Sequence, residues 1–261
     1  IWGRSSIVKC LASYDADIKL KSNEGRQSIH YAAKNGHNST LQTLIQLGAD
    51  VNCKTDQMNC TPLWFASSKG HDKVIKILLK NKAQIDLDNI QGATPLFAAS
   101  RNGHVVAVHM LLTNGASVNS ADSKGATPLI YASLHGMDEV VSLLILYGAN
   151  IEAVTNDGGS SLLLACKEGN LSTVKLLIQE GANPHVCDKN GKTPIQLATE
   201  KGHNELAVFL RNLPIERIQS KIQDQEASYS QNRIHSGQSI PSLSAGTTNF
   251  ECVVCMDDPR T

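Results

Sequence analysis

The chain has 261 residues, 41% of them apolar and only 4% aromatic, which is enough to bury a substantial core in one large domain or two small ones. Lys plus Arg and Asp plus Glu number 24 each, so the overall charge supplies no field that would draw nucleic acid or an anionic membrane. The longest apolar stretch, Val140–Val141 followed by Leu143–Tyr147, falls far short of a bilayer span.

No basic segment followed by an apolar one marks a secretory signal. The chain begins at Ile1 rather than Met and partway through a structural unit, which reads as a fragment whose own N-terminal address would lie outside it. Seven cysteines occur, at 10, 53, 60, 166, 187, 252 and 255. An odd number scattered through apolar and turn contexts favours reduced thiols in the cytoplasm, or in the nucleus, over a disulfide framework.

Residues 1–22 read as the tail of a truncated unit, because Asp15-Ala16-Asp17 precedes Gly48-Ala49-Asp50 by 33 residues. From there a repeat governs the chain. Short apolar segments open at Gln27, Thr61, Thr94, Thr127, Ser160 and Thr193, in steps of 34, 33, 33, 33 and 33 residues. In four of the six the opening is Thr-Pro, as in Thr61-Pro62-Leu63-Trp64. Threonine at an N-cap accepts a hydrogen bond from an orphan backbone N–H, and proline at the first helical position needs no donor. Nine residues after each opening stands a glycine, from Gly36 to Gly202, suited to end the helix in the left-handed conformation.

A second segment follows, with apolar pairs three apart such as Leu41/Leu44, Val108/Leu111 and Val174/Leu177, the mark of one stripe on a second short helix. A Gly-Ala pair closes it in most units, and polar residues lead on. Helices this short are not stable alone in water, so the units must stack and share a core. The predicted units span about 23–55, 56–88, 89–121, 122–154, 155–187 and 188–213.

A period of 33 residues opening on T-P-L-H-x-A resembles the ankyrin repeat, and the resemblance covers about residues 8–213. It implies an all-α ankyrin-repeat solenoid: paired short antiparallel helices joined by hairpin-like connections. Departures from the pattern carry their own expectations. His30 alone keeps the motif histidine, replaced elsewhere by Trp64, Phe97, Ile130, Leu163 and Gln196. Asn59 in place of glycine, with one extra residue, predicts an irregular connection between the first two repeats. Ser160-Ser161 lacks the proline and predicts a less rigid fifth repeat. Lys82 takes the place of the second helix-ending glycine.

After Leu213 the register stops. Ile215, Ile218 and Ile222 read as one stripe of a capping helix over 214–222, and the Ser-, Gln- and Asn-rich stretch 223–249 as a flexible linker. Residues 250–261 change character again: Cys252-Val253-Val254-Cys255-Met256-Asp257-Asp258-Pro259 resembles the opening of a RING finger. Two thiolates two residues apart can share one tetrahedral zinc. The resemblance implies Cys252 and Cys255 as the first two zinc ligands and Val254 as a contact for a ubiquitin-conjugating enzyme. The site is incomplete here, since no further Cys or His follows Cys255. Another zinc module and an incidental C-x-x-C are the alternatives.

By analogy with the ankyrin family, hairpin tips and the exposed side of the first helices line a concave groove that binds proteins. Met58, Ile90 and Leu134 are apolar at positions expected to face water, which suggests a contact patch. With Arg101 and Lys124 they form the expected partner-binding strip across repeats two to four. Trp64 has two readings, packing against its neighbour or anchoring a partner. His37, His71, His104 and His203 share one phase after a glycine; supporting the turn between helices is the expected role, ahead of a metal ladder. No phosphate-cradling loop, nucleophile elbow or H-E-x-x-H motif occurs, and Cys166 stands where other repeats carry small residues.

The resemblances together imply the substrate-recognition part of a RING-type ubiquitin ligase. The alternatives are a non-enzymatic ankyrin scaffold and an ankyrin-bearing membrane channel. Zinc is expected only at the C-terminal finger, and neither nucleic acid nor membrane is an expected partner.

Overall fold

A computed structural model describes residues 4–213. The predicted capping helix over 214–222, the linker, and Cys252, Val254 and Cys255 lie outside the described residues. Thirteen helices and no strand occur among those described. The first, α1 (Ser5–Ser13), belongs to the leading half-unit. Pairs follow in order: α2 (Ser28–Lys34) with α3 (Asn38–Gln46), α4 (Pro62–Ser68) with α5 (Asp72–Lys80), and α6 (Pro95–Arg101) with α7 (Val105–Thr113). Then come α8 (Pro128–Leu134) with α9 (Asp138–Leu146), α10 (Ser161–Glu168) with α11 (Leu171–Gln179), and α12 (Pro194–Glu200) with α13 (Asn204–Arg211). The predicted threonine caps are made: Thr61, Thr94, Thr127 and Thr193 each accept from the backbone N–H three residues on. Ser160 caps α10 in the same way at 3.2 Å, so the start of the fifth repeat is intact without its proline.

Packing follows the repeat. Ala32, Ala66, Ala99, Ala132, Ala165 and Ala198 share one phase on the first helices and are all buried. Their lack of bulk lets successive first helices approach more closely than successive second helices, whose contacts are made by Leu, Ile and Val. Close contact on one side and bulk on the other bend the stack, so the first helices and hairpin tips line its concave side. The apolar pairs of the second helices form one continuous core with them, as a solenoid requires.

Backbone and side-chain bonds tie each unit to the next. At the hairpin tips Ile90 N–H donates to Met58 O at 2.9 Å, Ser123 N–H to Gln91 O at 2.8 Å and Asn156 N–H to Lys124 O at 2.8 Å. Below the tips, Asn52, Asp86, Asn119 and Glu152 each accept from a backbone N–H of the following repeat.

The phase-sharing histidines support the turns, as expected. Nε2–H of His71, His104 and His203 donates to the carbonyls of Lys34, Ser68 and Lys167 in the preceding repeat, at 3.0, 3.2 and 3.1 Å. Asn170 replaces the histidine in the fifth repeat and donates to Ser133 O and Leu134 O. The irregular sites fall where the sequence predicts. Asn59 and Lys82 adopt left-handed φ of 53° and 63°, and Asp15 does so at 58°, in register with Gly48.

Candidate protein-binding surface

The concave strip is built by side chains that point away from the shared core. Ile90, 62% exposed, and Met58, 40% exposed, lie on adjacent hairpin tips held together by their backbone bond. Lys124 is exposed on the next tip and Arg101 at the end of α6. Leu134, predicted to face water, is instead half-buried: α8 ends on it and its carbonyl is engaged by Asn170. The apolar part of the strip therefore rests on Met58 and Ile90.

Trp64 packs against its neighbours and also lines a cavity. It is half-buried and meets Phe65 edge-on, with ring centroids 5.5 Å apart. Its free edge lines a cavity of about 210 Å³ together with Asn89, Gln91, Phe97, Arg101 and Tyr131. Its Nε1–H is shielded from water and has no acceptor among the described residues.

Arg101 reaches across to the next repeat, its guanidinium carbon 5.5 Å from the centre of the Tyr131 ring, a favourable cation–π arrangement. Phe97 packs edge-on against that ring, with centroids 4.6 Å apart. The cavity thus has aromatic walls, a cation held in place and amides at its rim. That mixture of apolar area and a few oriented polar groups suits a protein side chain. Tyr131 and Asn89 have no place in the sequence reading, where Phe97 stands only as a replacement for the motif histidine. A tyrosine one position past the motif's fourth residue, beside an arginine in the unit before, was the signal available.

The cysteines offer no reactive thiol in this region. None of Cys10, Cys53, Cys60, Cys166 and Cys187 forms a disulfide. Burial pushes the Cys53 and Cys166 thiols up to about 12 and that of Cys60 to about 11, so all three stay protonated and inert at neutral pH. Cys166 is fully buried in the core, as its register implies. No helix among the described residues is long and apolar enough to cross a membrane.

With helix pairs, caps and hairpin tips in place, the class is defined, and a family model agrees. Ankyrin repeats (three copies) match residues 2–89, 83–155 and 135–224; the chain belongs to the ankyrin-repeat family and is a protein–protein interaction module. It is similar to the ankyrin repeat and KH domain-containing protein mask-1 of Caenorhabditis elegans, 32% identical over 34% of this chain and 4% of that protein. It is similar as well to ankyrin repeat protein FPV223 of fowlpox virus, 37% identical over 31% of this chain and 57% of that one. The transient receptor potential cation channel subfamily A member 1 of Homo sapiens is 35% identical over 31% of this chain and 7% of its own length. The matches thus span less than two thirds of these relatives, and what is common to them is the repeat.

Proposed function

We propose that the strip from Met58 to Lys124, centred on the Trp64–Arg101–Tyr131 cavity, captures a protein substrate for a RING-type ubiquitin ligase of which this chain is the recognition part. The cavity carries the first half of the reading: it is the place on the concave face where aromatic area, a positioned cation and exposed apolar tips adjoin. The second half rests on Cys252-x-x-Cys255 with its acidic and proline neighbours. Those cysteines would supply the first two thiolates to a zinc ion, and Val254 would face the ubiquitin-conjugating enzyme. Such a ligase works by bringing a donor thioester and a substrate lysine together, so its contribution is positioning. The absence of disulfides among the described cysteines suits a cytoplasmic or nuclear setting.

The test uses the natural full-length protein. It is expected to bind zinc, to ubiquitinate itself, and to ubiquitinate whatever protein the solenoid retains. Replacing Arg101→Glu and Ile90→Glu together is expected to abolish substrate ubiquitination while self-ubiquitination and the melting temperature stay unchanged. Absence of zinc and of ligase activity in the full-length protein would leave a non-enzymatic ankyrin scaffold instead. Undiminished substrate capture by the double variant would remove the strip from the account.

A further inference from the structure

The charges on the concave strip are out of balance, and the imbalance specifies what it holds. Although the whole chain carries equal numbers of acidic and basic side chains, a cationic or titratable residue stands at the C-terminal end of every first helix: Lys34, Lys69, Arg101, His135, Lys167 and Lys201. None of them is in an ion pair among the described residues. The pairs formed there are Lys21–Asp56, Arg26–Glu24, Lys54–Asp88 and Lys192–Glu200. The helix macrodipole favours a cation at each of these ends but supplies no counter-ion, and all of these residues except the half-buried Lys34 are exposed. In repeats two to four Lys124 adds a further exposed cation. The acid that lines the cavity beside them is Asp122, and its Oδ1 already accepts from Lys124 N–H and Ala126 N–H, at 2.9 Å each. Farther along, Glu168 adjoins Lys167, Glu200 adjoins Lys201 and Asp157 lies on the next tip, so the excess of cations is greatest over the cavity.

We infer that the partner presents an extended acidic segment, with one carboxylate for each repeat it crosses and its central carboxylate seated on Arg101 at the mouth of the cavity. With its carbon over the Tyr131 ring, the guanidinium still has N–H donors to offer, and such a planar fork can grip a carboxylate by two bonds. The spacing follows from packing. Adjacent helices lie about 8–10 Å apart, and a chain in the polyproline II conformation advances about 3.1 Å per residue with three residues per turn, so carboxylates at every third residue share one face and match the cations. This deepens the proposed function and rests on its placement of the partner on the strip.

The experiment measures fluorescence anisotropy of a fluorescein-labelled dodecapeptide, aspartate at every third position and glycine or serine between, titrated with the full chain. Its counterpart carries asparagine for aspartate. The aspartate peptide is expected to bind, to weaken as salt rises, and to lose about tenfold or more in affinity in an Arg101→Glu, Lys124→Glu variant whose melting temperature is unchanged. Equal binding of the asparagine peptide would overturn the inference, as would no binding of the aspartate peptide. Oligothymidylate bound as tightly as the aspartate peptide would also overturn it, because the strip would then respond to polyanions at large. An asparagine peptide that binds and is released by Ile90→Glu would sink the acidic partner alone. Only undiminished substrate capture by the Arg101→Glu, Ile90→Glu variant would sink the partner's placement itself.

Discussion

At the scale of single residues, His30 shows how one side chain can hold a repeat together and make it sensitive to pH. Its Nδ1 accepts from Gln27 N–H and its Nε2–H donates to Cys53 O, both at 3.0 Å, so the neutral ring closes the helix start and the neighbouring connection at once. Burial is the main force lowering its pKa, opposed by the bond to Cys53 O. A base whose folded pKa is depressed adds stability above the unfolded value, about 6.5 for imidazole, and that stability is lost as pH falls through the folded pKa. Gln196 occupies the same motif position in the sixth repeat, where its Oε1 accepts from Thr193 N–H at 2.9 Å. His30→Gln therefore keeps the cap without the titration. Its melting temperature, followed from pH 7.5 to 5, is expected to fall less steeply than that of the unaltered protein. Parallel curves would show that His30 does not titrate against the fold.

Other single residues were only partly legible in the sequence. Ser67, Ser100 and Ser133 share the phase of Cys166 and are fully buried, with hydroxyls that find no partner among the described residues. Register alone identifies this as a small-residue position but says nothing of hydrogen bonds. Leu134 is half-buried for a related reason: the repeat fixes its position on the helix, while its burial depends on its surroundings in the stack.

At the scale of elements the repeat is almost wholly legible, because each mark answers a local backbone demand. The glycines separate two such demands. Gly70 and Gly148 both adopt left-handed φ, 64° and 84°, where an L-residue costs about 1–2 kcal/mol. A Cβ on Gly148 would meet nothing within 4 Å, whereas one on Gly70 would lie 2.6 Å from Nδ1 of His104 in the next repeat. Gly70→Ala is therefore expected to destabilise the protein by more than Gly148→Ala, by about 1 kcal/mol or more beyond the shared conformational cost, as read from denaturant midpoints. Lys82 supplies the reverse case: it pays the left-handed penalty already, so Lys82→Gly is expected to raise the midpoint. Equal losses for the two alanine variants would mean that His104 yields freely and that the turn-to-turn contact carries little.

At the scale of the whole molecule, the solenoid turns a short local rule into a long surface. Alanines on the first helices set the closer contact, the second helices set the wider one, and the curvature places Met58, Trp64, Ile90, Arg101 and Lys124 along one strip. Sequence register assigns each of these residues its position in the repeat. It could not reveal the cavity, because that needs Trp64, Phe97 and Tyr131 from three successive repeats to leave a gap between them. The outer faces of the second helices also expose apolar side chains, Val106 and Leu146 among them, the latter 78% exposed, so the concave assignment competes with a real alternative. Amide hydrogen exchange of the full-length protein, with and without the protein its solenoid retains, separates the two most directly. Slowed exchange confined to residues 57–64, 89–101 and 122–135 is expected. Protection of 105–113 and 138–146 in their place would contradict a concave binding site.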